Sequence, residues 1–173
     1  MPRLGSLLAR VFSAVPKEER TGISMGNDAG WKISGIQGSS FPEFLALLPS
    51  LLPQDSVLYL EGTSPSVPDV ITFLENHRAV ATSKVARGTI WPRPKILHIK
   101  LAADVMRELA RLVEGRPTYE ICSHLHVYRD RRVLLEWYDA FFQPLELSRD
   151  IPESKVAEFC QHLGAKYESS ASI

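Results

Sequence analysis

Apolar residues along this chain recur at two spacings, one helical and one of period two, and the switches between them mark out the elements. Val105, Leu109, Leu112 and Val113 line one side of a helix over 102–114 that ends at Gly115-Arg116-Pro117. Val156, Phe159, Cys160 and Leu163 do the same for a helix stopping at Gly164, and Val70, Ile71, Phe73 and Leu74 for a third. The stretch 41–52 is apolar on most faces, which predicts a buried helix. Strands are predicted around Trp31, Ile33 and Ile36, over 56–60, and over 95–101. Two more, about 119–128 and 132–142, join tightly through Arg129-Asp130-Arg131. Thr89-Ile90-Trp91 reads as an edge strand or a loop, because Pro92 and Pro94 would interrupt a central strand.

Three helix starts share one phrase: Ser40-Phe41-Pro42-Glu43, Ser66-Val67-Pro68-Asp69 and Asp150-Ile151-Pro152-Glu153. Each offers a capping oxygen, a first-turn proline whose missing N–H costs nothing there, and a carboxylate at the positive end of the helix dipole. Capping serves any fold, so the phrase speaks to architecture alone.

The order strand–helix, strand–helix, strand–helix, hairpin, helix predicts an α+β (mixed α/β) domain. Early alternation argues for crossover units, and the hairpin adds an antiparallel section to one mixed sheet with helices on at least one face. The globular domain is expected over 30–167. An amphipathic segment and linker precede it over 1–29, and a disordered tail follows over 168–173. At 45% apolar and 23% charged residues the 173-residue chain is ordinary for a globular protein, with one sizeable core. No apolar run approaches the roughly 20 residues that span a bilayer. Two cysteines, Cys122 and Cys160, are too few for a disulfide framework and suggest a reducing, cytoplasmic setting. Leu4, Leu7, Leu8, Val11, Phe12 and Val15, with Arg3 and Arg10, form an acid-poor amphipathic start. It reads as a packed helix, with an organelle transit peptide over 1–20 as the alternative.

The hairpin carries the most suggestive polar cluster. Period two sends Cys122, His124 and His126 to one face and Ile121, Leu125 and Val127 to the other. If 128 pairs with 133, then 122 lies opposite 139 and 124 opposite 137. Asp139 would join Cys122, His124 and His126 as a fourth zinc-type ligand, with Leu135 and Trp137 alongside. The competing reading is an ordinary sheet face, with no cofactor.

Net charge is zero, yet charge is segregated. Between Ile33 and His77 the only charges are Glu43, Asp55, Glu61, Asp69 and Glu75. From Arg78 to Ala103 they are Arg78, Lys84, Arg87, Arg93, Lys95 and Lys100. Such segments either neutralise each other or form a surface for a charged partner. Arg78, Lys84, Arg87, Trp91 and Arg93 are the candidate binding residues, and a protein partner is favoured over nucleic acid because no reader motif appears.

No GxSxG elbow, phosphate loop or dinucleotide fingerprint occurs. The expectation is a non-enzymatic protein-binding domain of the inhibitor or immunity class. The alternative is a hydrolase-like enzyme, metal-assisted or not, centred on Cys122, His124 and His126. A weaker third reading is a small-ligand pocket lined by Trp31, Tyr59 and Trp137.

Overall fold

A computed structural model describes residues 21–62 and 67–170. Within them one sheet holds seven strands: β1 (Ala29–Ser34), β2 (Val57–Glu61), β3 (Ile96–Lys100), β4 (His124–Arg129), β5 (Arg132–Trp137), β6 (Leu145–Ser148) and β7 (Lys166–Ser169). Their spatial order is β3-β2-β4-β5-β6-β1-β7. Four helices accompany them: α1 (Phe41–Leu51), α2 (Pro68–Asn76), α3 (Ala103–Val113) and α4 (Glu153–Leu163). The fold is α+β, as the order of elements predicts.

Every pairing within the sheet is antiparallel, so the expected crossovers join strands that are parallel but not adjacent: β1–α1–β2, and β3–α3–β4 with β2 between them. The expected unit that fails is the one after α2. Instead of turning directly into a parallel strand, the chain runs through residues 79–95 and enters β3 from the opposite end, pairing Val57 with Lys100 and Glu61 with Ile96. The expected edge strand at Thr89-Ile90-Trp91 is part of this irregular run. Sequence patterning also misses β6 and β7, each only four residues long. Glu168 and Ser169, beyond the boundary expected at 167, pair with Lys32 and Trp31. The amphipathic start over 1–20 lies outside the described residues.

One face of the sheet takes all the helices. Ile33, Leu58, Leu60, Leu97, Ile99, Leu125, Val127, Leu135, Leu145 and Leu147 point into a single core with Phe41, Phe44, Leu45 and Leu48 of α1, Leu109 of α3 and Phe159 of α4. Period-two spacing on the strands and three-to-four spacing on the helices therefore meet, as binary patterning requires. Trp137 closes this core: its ring lies 5.1 Å from Phe44 and 4.4 Å from Phe141, and its indole N–H donates to the carbonyl of Gln143. Among the described residues no helix is long and apolar enough to cross a membrane.

The capping phrases mark the right places with the wrong atoms. Ser40 precedes α1 but its hydroxyl makes no cap hydrogen bond. Ser66 lies outside the described residues, and Val67 stands at the cap position of α2. α4 begins at Glu153, and Asp150 instead pairs with Arg132 at 2.6 Å. The prolines hold φ in the helical range at or beside the first turn, so the starts survive without the side-chain cap. The stop at Gly164 is as expected, with φ 62° in the left-handed region.

Among the described residues the second face of the sheet has no α-helix. Residues 21–28 and 79–95 lie across it, and a small cluster forms from Met25, Val57, Tyr59, Val85, Tyr128 and Val133. Covered on both sides, β2 is buried at every position. The segment expected to be a loose linker before residue 30 is thus partly a cover for the sheet, with Met25 buried in it.

Candidate functional site: an arch over the histidine face

Residues 79–95 form an arch. It leaves the sheet at Ala79, whose N–H donates to the carbonyl of His98, and reaches the β4–β5 turn, where the Ser83 hydroxyl donates to the carbonyl of Asp130. A short parallel bridge then joins Val85 to Ile23. The arch returns across the ends of β2 and β4 and rejoins the sheet where Gly62 N–H donates to the carbonyl of Lys95.

Its fastening is a carboxylate. Glu61 is fully buried and sits in an otherwise apolar strand, on the face away from the helices. Its Oε2 accepts from the Tyr59 hydroxyl at 2.5 Å and the Gly88 amide at 3.2 Å, and its Oε1 accepts from the Thr89 amide at 2.5 Å. Tyr59 holds its proton far more tightly than a free phenol, through burial first and the bond to Glu61 second. His124 completes the joint: Nε2 lies 3.1 Å from the Thr89 hydroxyl and 3.9 Å from Glu61 Oε1. Gly88 lies against the imidazole so closely that a Cβ there would sit 2.4 Å from His124 Cδ2. Only glycine fits.

The two sequence-predicted clusters therefore meet, and the register explains how. Tyr128 pairs with Val133 as expected, but an irregularity beyond Val127 shifts the ladder by one. Leu125 faces Trp137 and Val127 faces Leu135 on the core side, while His126 faces Glu136 on the arch side. The expectation that 124 lies opposite 137 is thus corrected, and Leu135 and Trp137 belong to the core. Cys122 is not opposite Asp139 either. β5 ends at Trp137, Asp139 turns left-handed at φ 43°, and Ala140 N–H donates to the carbonyl of Ser123.

Of the four candidate metal ligands, His124 and His126 share the arch face. Asp139 reaches His124 chiefly through its backbone, its N–H donating to Nδ1 at 2.9 Å while Oδ1 lies 3.8 Å away. Cys122 belongs to the helix-side core, and burial pushes its thiol up to about 12. Among the described residues no group of three or more His, Cys, Asp and Glu is placed to hold a metal ion. Both rings also have their tautomer set. Nδ1 of His126 accepts the Trp137 amide at 3.3 Å, so in each ring Nδ1 is an acceptor and the proton sits on Nε2. His126 is driven down to about 3, by burial first and then by His124. Among the described residues its Nε2 has no hydrogen-bond partner, and its ring lies 4.7 Å from that of Tyr138 in an edge arrangement.

The five candidate binding residues divide. Arg78 and Lys95 both meet Glu75, at 3.5 and 2.8 Å, so the acidic and basic segments do neutralise each other there. Lys84 donates to Thr21 and, like Arg87, lines a cleft beneath the arch. Trp91 and Arg93 face outward, and Trp91 is 85% exposed. Of the other acidic residues, Asp69 meets Arg116, Asp55 meets Arg129 and Glu61 holds the arch itself, while Glu43 stands in the first turn of α1. The third sequence-level site does not assemble: Trp137 and Trp31 pack on the helix side, and Tyr59 on the other.

What sequence reading misses is Glu61. Its one signal is a lone carboxylate ending the apolar run Val57–Leu60, and that signal equally suits a strand end.

Compared with protein-family models, with curated proteins and with solved structures, the chain matches none.

Proposed function

We propose that this chain is a non-enzymatic binding domain that engages another protein through the outer side of the arch, with Trp91 as the apolar anchor and Arg93 as its charged neighbour. One observation carries this reading. A tryptophan that is 85% exposed stands on an irregular segment whose root is fixed by a fully buried, triply hydrogen-bonded carboxylate. A fixed root keeps the ordering cost of binding small, and tryptophan and arginine are the side chains that most often dominate interface energetics. Arg93 has no ion pair among the described residues, so the favoured partner presents an acidic patch beside an apolar recess.

The histidine face supports this reading better than the hydrolase-like alternative. His124, Glu61 and Tyr59 are engaged in holding the arch, and the Nδ1 of both His124 and His126 is spent on a backbone amide.

The test is site-specific photo-crosslinking in cells that express the chain. A benzoyl-phenylalanine in place of Trp91 should give a discrete protein adduct, and the same probe at Arg107 on α3 should give none. The adduct should weaken with added salt and with Arg93→Glu. Equal labelling from both positions, or none from position 91, would refute the proposal.

A further inference from the structure

The underside of the arch differs from its outer side in chemistry. Between the arch and strands β2 and β3 lies a cleft of about 380 Å³, lined by Ala81, Thr82, Ser83, Lys84, Val85 and Arg87 from the arch and Tyr59, Ile96 and His98 from the sheet. Among the described residues no carboxylate lines it. A second cleft of about 490 Å³ shares Thr82, Ser83 and Lys84, adds Thr21 and Arg131, and among the described residues has no acid in its lining either.

Two carboxylates on this face of the sheet are already committed elsewhere. Glu61 accepts from Tyr59 and the arch amides, while Glu136 accepts from Met25 N–H and the Tyr138 hydroxyl. Arg87 is half-buried and, among the described residues, has neither hydrogen bond nor ion pair. A guanidinium partly withdrawn from water with no counter-charge is unfavourable unless an anion returns to it. His98 offers a second polar group to the cleft. The hydroxyl of the fully buried Tyr128 lies 2.9 Å from His98 Nδ1, and in the tautomer where the hydroxyl donates there the ring proton is on Nε2, free to donate to a ligand. The Thr82 hydroxyl adds a third donor, and Val85, Ile96 and the Tyr59 ring supply an apolar wall.

We propose that the arch encloses a binding site for a small phosphorylated molecule, with the Arg87 guanidinium, His98 and Thr82 meeting the phosphoryl oxygens and the Tyr59–Val85–Ile96 wall meeting its organic part. A planar fork of N–H donors matches a phosphoryl group better than a point charge does. The volume is at the lower end of the range for small-molecule pockets, which suits a compact ligand. Trp91 and Arg93 are not among the lining residues, so occupancy of the cleft and engagement of a partner at Trp91 are separable.

The test is an NMR titration of the full chain with pyrophosphate, and with adenosine monophosphate against adenosine. Saturable shifts are expected at the His98 ring and at the Arg87 side-chain N–H, with adenosine silent. Arg87→Gln should weaken binding at least tenfold, and Arg93→Gln should leave it unchanged. Thr82→Ala, an exposed change that does not touch the fold, should weaken it severalfold and serves if Arg87→Gln folds poorly. No saturable shift up to about 10 mM pyrophosphate, or equal losses in the Arg87 and Arg93 variants, would overturn the site. Binding of adenosine as tightly as its monophosphate would overturn the phosphoryl assignment.

Discussion

Replacing Glu61 by Gln tests whether a buried carboxylate holds the arch. The substitution keeps shape and volume and changes only what the two oxygens present. If the amide oxygen stays with Thr89 N–H, the new NH2 takes the place of Oε2, opposite Gly88 N–H and the Tyr59 hydroxyl. The hydroxyl can turn and accept, but Gly88 N–H cannot, so one donor faces another donor in a buried place. Hydrogen bonds to a charged group contribute about 1.5–3 kcal/mol each, and a stranded buried donor costs about 1–3 kcal/mol. The net loss should be about 2–3 kcal/mol, because one neutral bond to Thr89 remains. It should appear as local opening of the arch before it appears as global unfolding, since the helix-side core is untouched. Hydrogen exchange at the Gly88 and Thr89 amides should therefore quicken roughly 30- to 150-fold relative to the parent. Amides of β2 and β4 facing each other in the sheet should change much less. Glu75→Gln, which breaks an exposed pair with Lys95, is the control and should leave exchange at Gly88 and Thr89 close to that of the parent. Unchanged protection at Gly88 and Thr89, with an unchanged melting temperature, would refute the fastening role of Glu61.

Gly88→Ala should lift the arch without touching the carboxylate, because the added methyl group would meet the His124 ring. A destabilisation of about 1–3 kcal/mol by denaturant titration is expected, and a neutral result would show that arch and imidazole do not touch. His126 is held neutral, so between its folded value of about 3 and its unfolded value near 6.5 the unfolded chain binds more protons. Its contribution to stability is thus complete above about pH 6.5 and declines as pH falls toward 3. His126→Asn, which keeps an acceptor for the Trp137 amide, should flatten that part of the stability–pH curve, and identical slopes for the two proteins would sink the assignment. Burial raises the thiols of Cys122 and Cys160 to about 12 and about 11, so both should resist a disulfide reagent at pH 8 until the chain unfolds. Rapid native labelling of either would contradict the packing described.

Much of the fold is legible in the sequence, because burial on one face imposes a period that can be counted. Val105 to Val113, Val156 to Leu163 and the run Val57–Leu60 fall where that period puts them, and Gly164 stops its helix for a local steric reason. β6 and β7 are too short for a period to show, and the single-residue shift beyond Val127 is decided by how β5 packs on β4 and β6. The candidate residues were equally legible as residue types. Arg87-Gly88-Thr89 and His124 stand out in the sequence as two separate clusters.

Only the tertiary structure brings them together, because the path of residues 79–95 depends on long-range closure that no local spacing encodes. That path makes Glu61 a fastening, divides the basic segment into an inner pair at Lys84 and Arg87 and an outer pair at Trp91 and Arg93, and sends Cys122 into the core. The sequence by itself determined which residues are apolar on which face, and hence an α+β sheet backed by helices. Which face stays open, and what crosses it, was decided by a buried carboxylate finding donors 27 and 28 residues further along the chain. The physical reason is that burial periodicity is local, whereas the need to satisfy a buried polar group is met by whatever the fold brings near.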